Sequence, residues 1–325
     1  MLKAVFIGAG GRAAGTHYPA LMRAGDQVEL LAVCELDEAR LNAVGDRFNV
    51  DRRYRDFREM LTEVDCDVVY AVMQPWHVTE IAVEALESGR HLFIEKPPGA
   101  SSAETERIAE AATRAGKLAC VGLQRRWTPL IREAIARVEE RGPIRYVLTE
   151  FHKNLLEHDQ GGSKYNRIYE QDIHMVDFTR WVSGGEWDQV LSRGEDTYAG
   201  WTNAYSSIIH FTSGTTAVLS AIGHAGARYY RIELHGNGIS AYLRSPESAE
   251  IFADDSPEPE ILRGRPIAGD PDGRLDEGVD ALHQDFLQCI VEEREPLTSI
   301  HDTVPSMRLA EEIAQIDAHG KPLSG

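Results

Sequence analysis

Leu2-Lys3-Ala4-Val5-Phe6-Ile7-Gly8-Ala9-Gly10-Gly11-Arg12-Ala13 decides the fold of this chain. The apolar run over residues 3–8 stops at glycines, and residues 13–23 then have the composition of a helix. A strand without polar alternation is one that is covered on both faces. A helix that follows it at once, across a turn rich in glycine, opens a β–α–β series.

The same unit recurs through the first third of the chain. Residues 28–35, VELLAVCE, predict a second strand, with a helix through Arg47. Asp56-Phe57-Arg58-Glu59 has the spacing of a capping box and opens another short helix. Residues 67–73 predict strand, 78–88 helix and 91–95 strand. Ser101-Ser102-Ala103-Glu104 is a second capping box, after which Ile108, Ala111, Ala112 and Ala115 share one helical face. Residues 118–122 close the series as a last strand. Strands apolar on both faces, joined by right-handed helical crossovers, predict a doubly wound parallel sheet, the Rossmann class, over residues 1–122.

From residue 123 to residue 325 the pattern differs, and a chain of 325 residues is long enough for two cores. Residues 145–151 read as a strand with polar interruptions, and residues 170–182 as one helix. Residues 187–244 alternate, with Tyr230, Ile232 and Leu234 set against Arg231 and Glu233, and with turns at Ser213-Gly214 and Gly236-Asn237-Gly238. That alternation predicts a mostly antiparallel, open-faced sheet in an α+β domain. Residues 245–278, rich in Pro, Asp and Gly, are expected as surface loops, followed by helices over 279–292 and 303–318. The last helix is expected to pack back on the first domain.

Bulk properties exclude several partners. A formal net charge of −18 argues against nucleic acid or an anionic membrane, both of which require a basic face. No segment reaches the roughly 20 apolar residues of a membrane span, and residues 1–11 read as a strand, not a secretion signal. Cys34, Cys66, Cys120 and Cys289 lie far apart, without Cys-x-x-Cys or histidine at ligand spacing, so no metal site is expected. Buried thiols in a reducing, cytoplasmic compartment are the expectation.

Gly8-Ala9-Gly10-Gly11-Arg12-Ala13 fits the dinucleotide fingerprint. Gly8 permits the tight turn, Gly10 admits backbone close to a pyrophosphate, and Ala13 lets helix and strand pack. The N–H groups that open the helix then face the phosphates, with Gly11 and Arg12 beside them. Glu35, 22 residues after Ala13, ends the second strand. A carboxylate there accepts from ribose hydroxyls and repels a 2′-phosphate, so NAD is favoured over NADP. Arg12 is the counter-argument, as a cation able to meet a 2′-phosphate.

Glu95-Lys96-Pro97, within HLFIEKPP at residues 91–98, resembles the signature of the Gfo/Idh/MocA oxidoreductases, named for glucose–fructose oxidoreductase and inositol dehydrogenase. The glycine loop, the run EALESGRHLFIEKP, Gly122-Leu123-Gln124-Arg125-Arg126-Trp127, residues 170–177 and the closing stretch with Phe286, Arg294-Glu295-Pro296 and Ala310-Glu311 are similar to family segments and stand in family order. The resemblance implies that Lys96 serves both cofactor and catalysis, often beside a cis Lys–Pro bond, with Glu95, Pro75, Trp76 and His77 near the nicotinamide. It implies that His174 is the catalytic base. Glu170, in place of the usual aspartate, is expected one helical turn away with Asp177 at the next turn, and Asp172 is expected to share the orienting work. Arg125, Arg126, Trp127, Asp172, Tyr165 and Arg167 are candidates for substrate contact, and residues 158–163 form a loop that reads either as a lid or as an ordinary loop.

The activity implied is hydride transfer between NAD and a secondary alcohol of a sugar, inositol or related polyol, by a homo-oligomer. Lys96 and His174, from separate domains, are expected to converge on one nicotinamide ring. Three alternatives stay open: an NAD-dependent glycoside hydrolase working through a transient keto sugar, a nucleotide or sugar sensor, and reduction of a C=N bond.

Overall fold

A computed structural model describes residues 1–157, 167–268 and 277–316. The chain divides into two compact units, one of residues 1–123 with 279–304, the other of residues 124–278 with 305–325.

In the first unit, β1 (Leu2–Ile7), β2 (Val28–Cys34), β3 (Arg52–Tyr54), β4 (Val68–Ala71), β5 (His91–Ile94) and β6 (Ala119–Val121) form one parallel sheet in the order β3-β2-β1-β4-β5-β6. This is the doubly wound order that the apolar runs predict. Every residue of β4 is buried, as are Leu92, Phe93 and Ile94 of β5, because helices cover both faces. The three-residue β3 has no counterpart among the predicted strands: Arg52-Arg53-Tyr54 carries no apolar run, and pairing to β2 alone makes it a strand.

The helices are α1 (Tyr18–Arg23), α2 (Glu38–Phe48), α3 (Phe57–Glu63), α4 (Pro75–Glu87) and α5 (Ser102–Ala115). Asp56 caps α3 by accepting from the Arg58 N–H at 2.8 Å. Ser101 caps α5 through the Glu104 N–H at 3.3 Å, while the Glu104 carboxylate reaches back to the Ala100 N–H at 2.9 Å, a variant of the capping box. Before α1, Ala13–His17 is wound as a π-helix. Pro19 supplies the reason: it has no N–H to donate to Gly15 and its ring crowds that carbonyl, so the turn widens. The wider turn buries two adjacent large residues, His17 and Tyr18, which are 1% and 0% exposed. Tyr18 then stacks on Phe6 with ring centroids 3.9 Å apart.

The second unit contains α6 (Pro129–Glu139), β7 (Tyr146–Asn154), α7 (Arg167–Glu170), α8 (Ile173–Val182), β8 (Trp187–Glu195), β9 (Ala204–Phe211), β10 (Thr216–Ile222), β11 (His224–His235), β12 (Ile239–Arg244), β13 (Ser248–Ala253), β14 (Glu260–Arg263) and α9 (Gly264–Ile267). The eight strands form one sheet in the order β14-β13-β12-β11-β7-β10-β9-β8, antiparallel except for β7 with β10. Tyr230, Ile232 and Leu234 are buried as their alternation predicts, and Glu233 is held close to Arg231 and His235. On the other face, the cross-strand pair Leu191 and Ile208 remains 54% and 42% exposed.

Two expectations are corrected here. Part of the stretch expected as loop is β13, β14 and α9: Ala249, Ile251 and Leu262 alternate into the core, a period hidden by the surrounding Pro and Asp residues. The helix expected over residues 170–182 is two helices, broken at Gln171 and Asp172. The closing helices are α10 (Val279–Glu292) and α11 (Ile300–Ala314), the latter three residues earlier than its expected start.

The second unit holds a fully buried charge network. Arg126 donates to both carboxylate oxygens of Asp177, Ser306 donates to Asp177 at 2.7 Å, and Arg180 donates to Ser306 at 2.8 Å. Removal of one member strands the other charge without water. Arg126→Ala is expected to destabilise the fold by about 3–5 kcal/mol, read as a lowered urea midpoint, and a midpoint within error of the parent contradicts this account.

Candidate active site

β1 delivers the chain to Gly8, whose φ of +105° lies in the region that favours glycine. A Cβ on Gly8 would stand 2.1 Å from the Val72 carbonyl oxygen, so no side chain fits between the ends of β1 and β4. The Gly8 N–H donates to Cys34 at 2.8 Å, and the Tyr18 hydroxyl donates to the Gly8 carbonyl at 3.1 Å. At Gly10 and Gly11 nothing lies within 4 Å of where a Cβ would be. That space exposes bare backbone at the start of a helix, the arrangement that cradles a pyrophosphate. Ala13 is buried where helix meets strand.

Glu35 stands at the end of β2, half-buried. Its carboxylate accepts from the Ala9 N–H at 2.7 Å and from the Asp37 N–H at 3.1 Å, so the glycine loop itself orients it. Arg12 is engaged elsewhere. Its Nε donates to Glu95 at 2.7 Å and its Nη1 to Thr16 at 3.4 Å. The cation that argued for NADP is thus tied to the end of β5, while the carboxylate that argues for NAD lies at the end of β2. A cradle that side chains would fill and a carboxylate at the ribose position fit NAD.

Glu95 joins three elements although it is only 7% exposed. Its Oε1 accepts from Arg12 and, at 2.9 Å, from His17 Nε2, and its Oε2 accepts from the Lys96 N–H at 2.6 Å. Burial by itself raises the carboxyl, but the hydrogen bond from His17 and the cations Arg12 and Lys96 outweigh it and hold the group far below the usual carboxylate range. The Lys96–Pro97 bond is cis. Pro75 is buried at the first position of α4, just beyond β4, with Trp76 and His77 exposed beside it.

His17 and His283 are absent from the predicted site. His283, fully buried in α10, meets His17 Nδ1 through Nε2 at 3.0 Å and stacks on Phe93 with centroids 4.6 Å apart. One signal was available: both histidines sit on apolar helix faces, His17 beside Ala13 and Tyr18, His283 beside Leu282 and Phe286.

In the second unit, Glu170 ends α7 and His174 lies in the first turn of α8, both half-buried. They are not one turn apart on a continuous helix, because Gln171 and Asp172 separate α7 from α8, and the Asp172 side chain turns back to Arg167. Arg167 and Asp172 are paired through 2.6 Å and 3.2 Å hydrogen bonds with at most 1% exposed, and Arg167 also donates to the Asn203 carbonyl at 2.7 Å. Arg126 is equally enclosed with Asp177. Arg126, Arg167 and Asp172, the candidates for substrate contact, are thus enclosed and paired within the protein, as buried charges must be to be stable. Asp177, expected at the next turn after His174, accepts from Arg126 and Ser306. Arg125 is buried over the Tyr230 ring at 5.0 Å with Glu277 at 3.4 Å, and Trp127 is buried. Tyr165 and the loop at 158–163 lie outside the described residues.

Fold and glycine loop define a dinucleotide-binding Rossmann domain, and comparison with known proteins agrees. Residues 2–123 match the GFO_IDH_MocA model, an oxidoreductase family with an NAD-binding Rossmann fold. Over this domain the chain is similar to the Gfo/Idh/MocA oxidoreductases. It is similar to inositol 2-dehydrogenase of Salmonella typhimurium, 26% identical over 202 residues, which cover 58% of this chain and 56% of that protein. The chain thus matches little more than half the length of that relative. D-apiose dehydrogenase of Paraburkholderia graminis is 26% identical over 305 residues, 88% of this chain and 80% of its own. Among solved structures, a dehydrogenase from Chromobacterium violaceum shares the fold with a TM-score of 0.87, 21% identity, and coverage of 98% of this chain and 95% of that one.

Two substitutions test the loop. Gly8→Ala, which forces a Cβ onto the Val72 carbonyl, is expected to abolish NADH binding in a fluorescence titration. Glu35→Ala is expected to weaken NAD binding about tenfold and to narrow its margin over NADP, by the cost of lost charge-assisted hydrogen bonds. Unchanged affinities for both nucleotides rule out the assigned role of Glu35.

Proposed function

We propose that this chain is an NAD-dependent dehydrogenase that interconverts a secondary alcohol of a sugar, inositol or related polyol with the corresponding ketone. The observation that carries this is the end of β5: Lys96 follows a buried carboxylate that binds both the glycine loop, through Arg12, and the Lys96 backbone. A lysine at the carboxyl end of a parallel strand stands where doubly wound sheets bind ligands. The similarity to inositol and D-apiose dehydrogenases supports the substrate class.

Gly8, Gly10, Gly11, Arg12, Ala13, Glu35, Pro75, His77, Glu95 and Lys96 are the residues that hold NAD, which when bound supplies the hydride acceptor. Lys96 donates a hydrogen bond to the substrate oxygen and stabilises negative charge as it develops. His174 takes the hydroxyl proton, a task for which a neutral imidazole is suited near neutral pH. Glu170 binds a substrate hydroxyl or steadies His174 across the break between α7 and α8. The open sheet face with Leu191 and Ile208 pairs subunits, and the protein works in the cytoplasm, where its four buried thiols stay reduced. Burial raises the Cys34 thiol to about 12, which keeps it unreactive.

The test is NADH formation over a panel of myo-inositol, D-apiose, D-xylose and other polyols, with NAD and NADP in parallel. Lys96→Met and His174→Asn are each expected to lower kcat by at least about a hundredfold. Turnover intact in both variants overturns the assignment, and release of sugar from glycosides without net NADH favours the hydrolase.

A further inference from the structure

His17 and His283 lie behind the site just described, and nothing in the proposed chemistry uses them. We propose that they are positioning residues: a buried two-imidazole relay that donates into Glu95, fixes the orientation of its carboxylate, and so sets the backbone from which Lys96 projects. The proposal deepens the dehydrogenase reading and rests on it for the role of Lys96.

The proton positions follow from the partners. Glu95 is ionised, so it only accepts, and His17 Nε2 must carry the hydrogen that spans 2.9 Å to Oε1. His17 Nδ1 faces His283 Nε2 at 3.0 Å, and only one hydrogen occupies that line. If His17 were protonated on both nitrogens, His283 would have to accept through Nε2. Its own hydrogen would then sit on Nδ1, a buried atom without a hydrogen-bond partner. A buried N–H with no acceptor is costly. With both rings neutral the conflict disappears: His283 donates through Nε2, His17 accepts at Nδ1 and donates at Nε2, and His283 Nδ1 keeps only a lone pair. Burial, assisted by nearby cations, holds His283 well below its usual range and favours the neutral ring. Phe93 and Tyr70 stack against His283, with centroids 4.6 Å and 5.5 Å away, and prevent the ring from turning.

The relay therefore has one direction, from α10 through the π turn to the end of β5. At its end the carboxylate has no freedom: Oε1 is shared by His17 and Arg12, and Oε2 is held by the Lys96 N–H. Loss of the His17 donor frees the carboxylate to rotate toward Arg12 and releases the Lys96 amide. Displacements of about an ångström at a reacting group cost up to a hundredfold in rate.

The test has two readouts. In the nucleotide-free protein, labelled on histidine nitrogen, long-range proton–nitrogen spectra near neutral pH are expected to show both His17 and His283 as neutral Nε2–H tautomers. A doubly protonated His17, or an Nδ1–H tautomer on either ring, overturns the relay whether or not the enzyme reading is right. In the second readout, His17→Phe and His283→Phe are compared with His17→Gln, whose amide restores a donor to Glu95. The substrate is the best member of the polyol panel. Both Phe variants are expected to lower kcat about tenfold to a hundredfold with KM within about twofold and NADH fluorescence binding retained, and His17→Gln is expected to recover most of the loss. Phenylalanine suits the aromatic surroundings of His283, so a melting temperature close to the parent's serves as the control for folding. Equal loss in His17→Gln and His17→Phe, or a well-folded Phe variant with parental kcat, overturns the positioning role. A chain with no turnover on any polyol but the expected tautomers overturns the dehydrogenase reading and leaves the relay standing.

Discussion

Just beyond the paired ends of β1 and β4 the backbone of Gly8 lies against the carbonyl of Val72, where a single Cβ would sit 2.1 Å from the oxygen. Close contact at this point lets two parallel strands that the chain does not join directly lie side by side, and the direction of winding reverses between them. Everything around the loop is arranged from it. Cys34 accepts the Gly8 N–H, Tyr18 closes on the Gly8 carbonyl, and Glu35 reaches back from β2 to the Ala9 N–H. The loop is therefore bound by the strands that flank it, and its remaining backbone, at Gly10 and Gly11, is left clear.

Electrostatics then divide the labour between two carboxylates. Glu35 is half-buried and bound, among the described residues, by backbone N–H groups, which leaves lone pairs for further donors. Glu95 is buried and surrounded by Arg12, His17 and the Lys96 backbone, so its charge is used to hold elements together. The same residue type is left open to further donors in one case and enclosed by the protein in the other. The difference is how far each is removed from water.

The second unit shows what burial adds to a reading made from residue type. Charged side chains beside a presumed base look like substrate ligands, yet Arg126, Arg167, Asp172 and Asp177 are enclosed and satisfied by one another. The aspartate–arginine contact at 172 and 167 also breaks the helix in which Glu170 and His174 were expected to align. A charge moved out of water takes the nearest opposite partner, and the backbone follows.

How much was legible in the sequence depends on the range of the forces involved. Apolar runs over β1, β2, β4 and β5, the capping boxes at Asp56 and Ser101, and the glycines at residues 8–11 act within a few residues of themselves, and the sequence by itself determined the parallel sheet and the nucleotide loop. β3, by contrast, is a strand because a neighbouring edge offers hydrogen bonds, which no local pattern records, and the alternation of β13 and β14 is hidden among Pro and Asp residues. The meeting of His17, Glu95 and His283, separated by 78 and 266 positions from His17, was decided only by tertiary structure. A π turn, a strand end and a distant helix had to be packed together before three polar groups had no water left and bonded to each other.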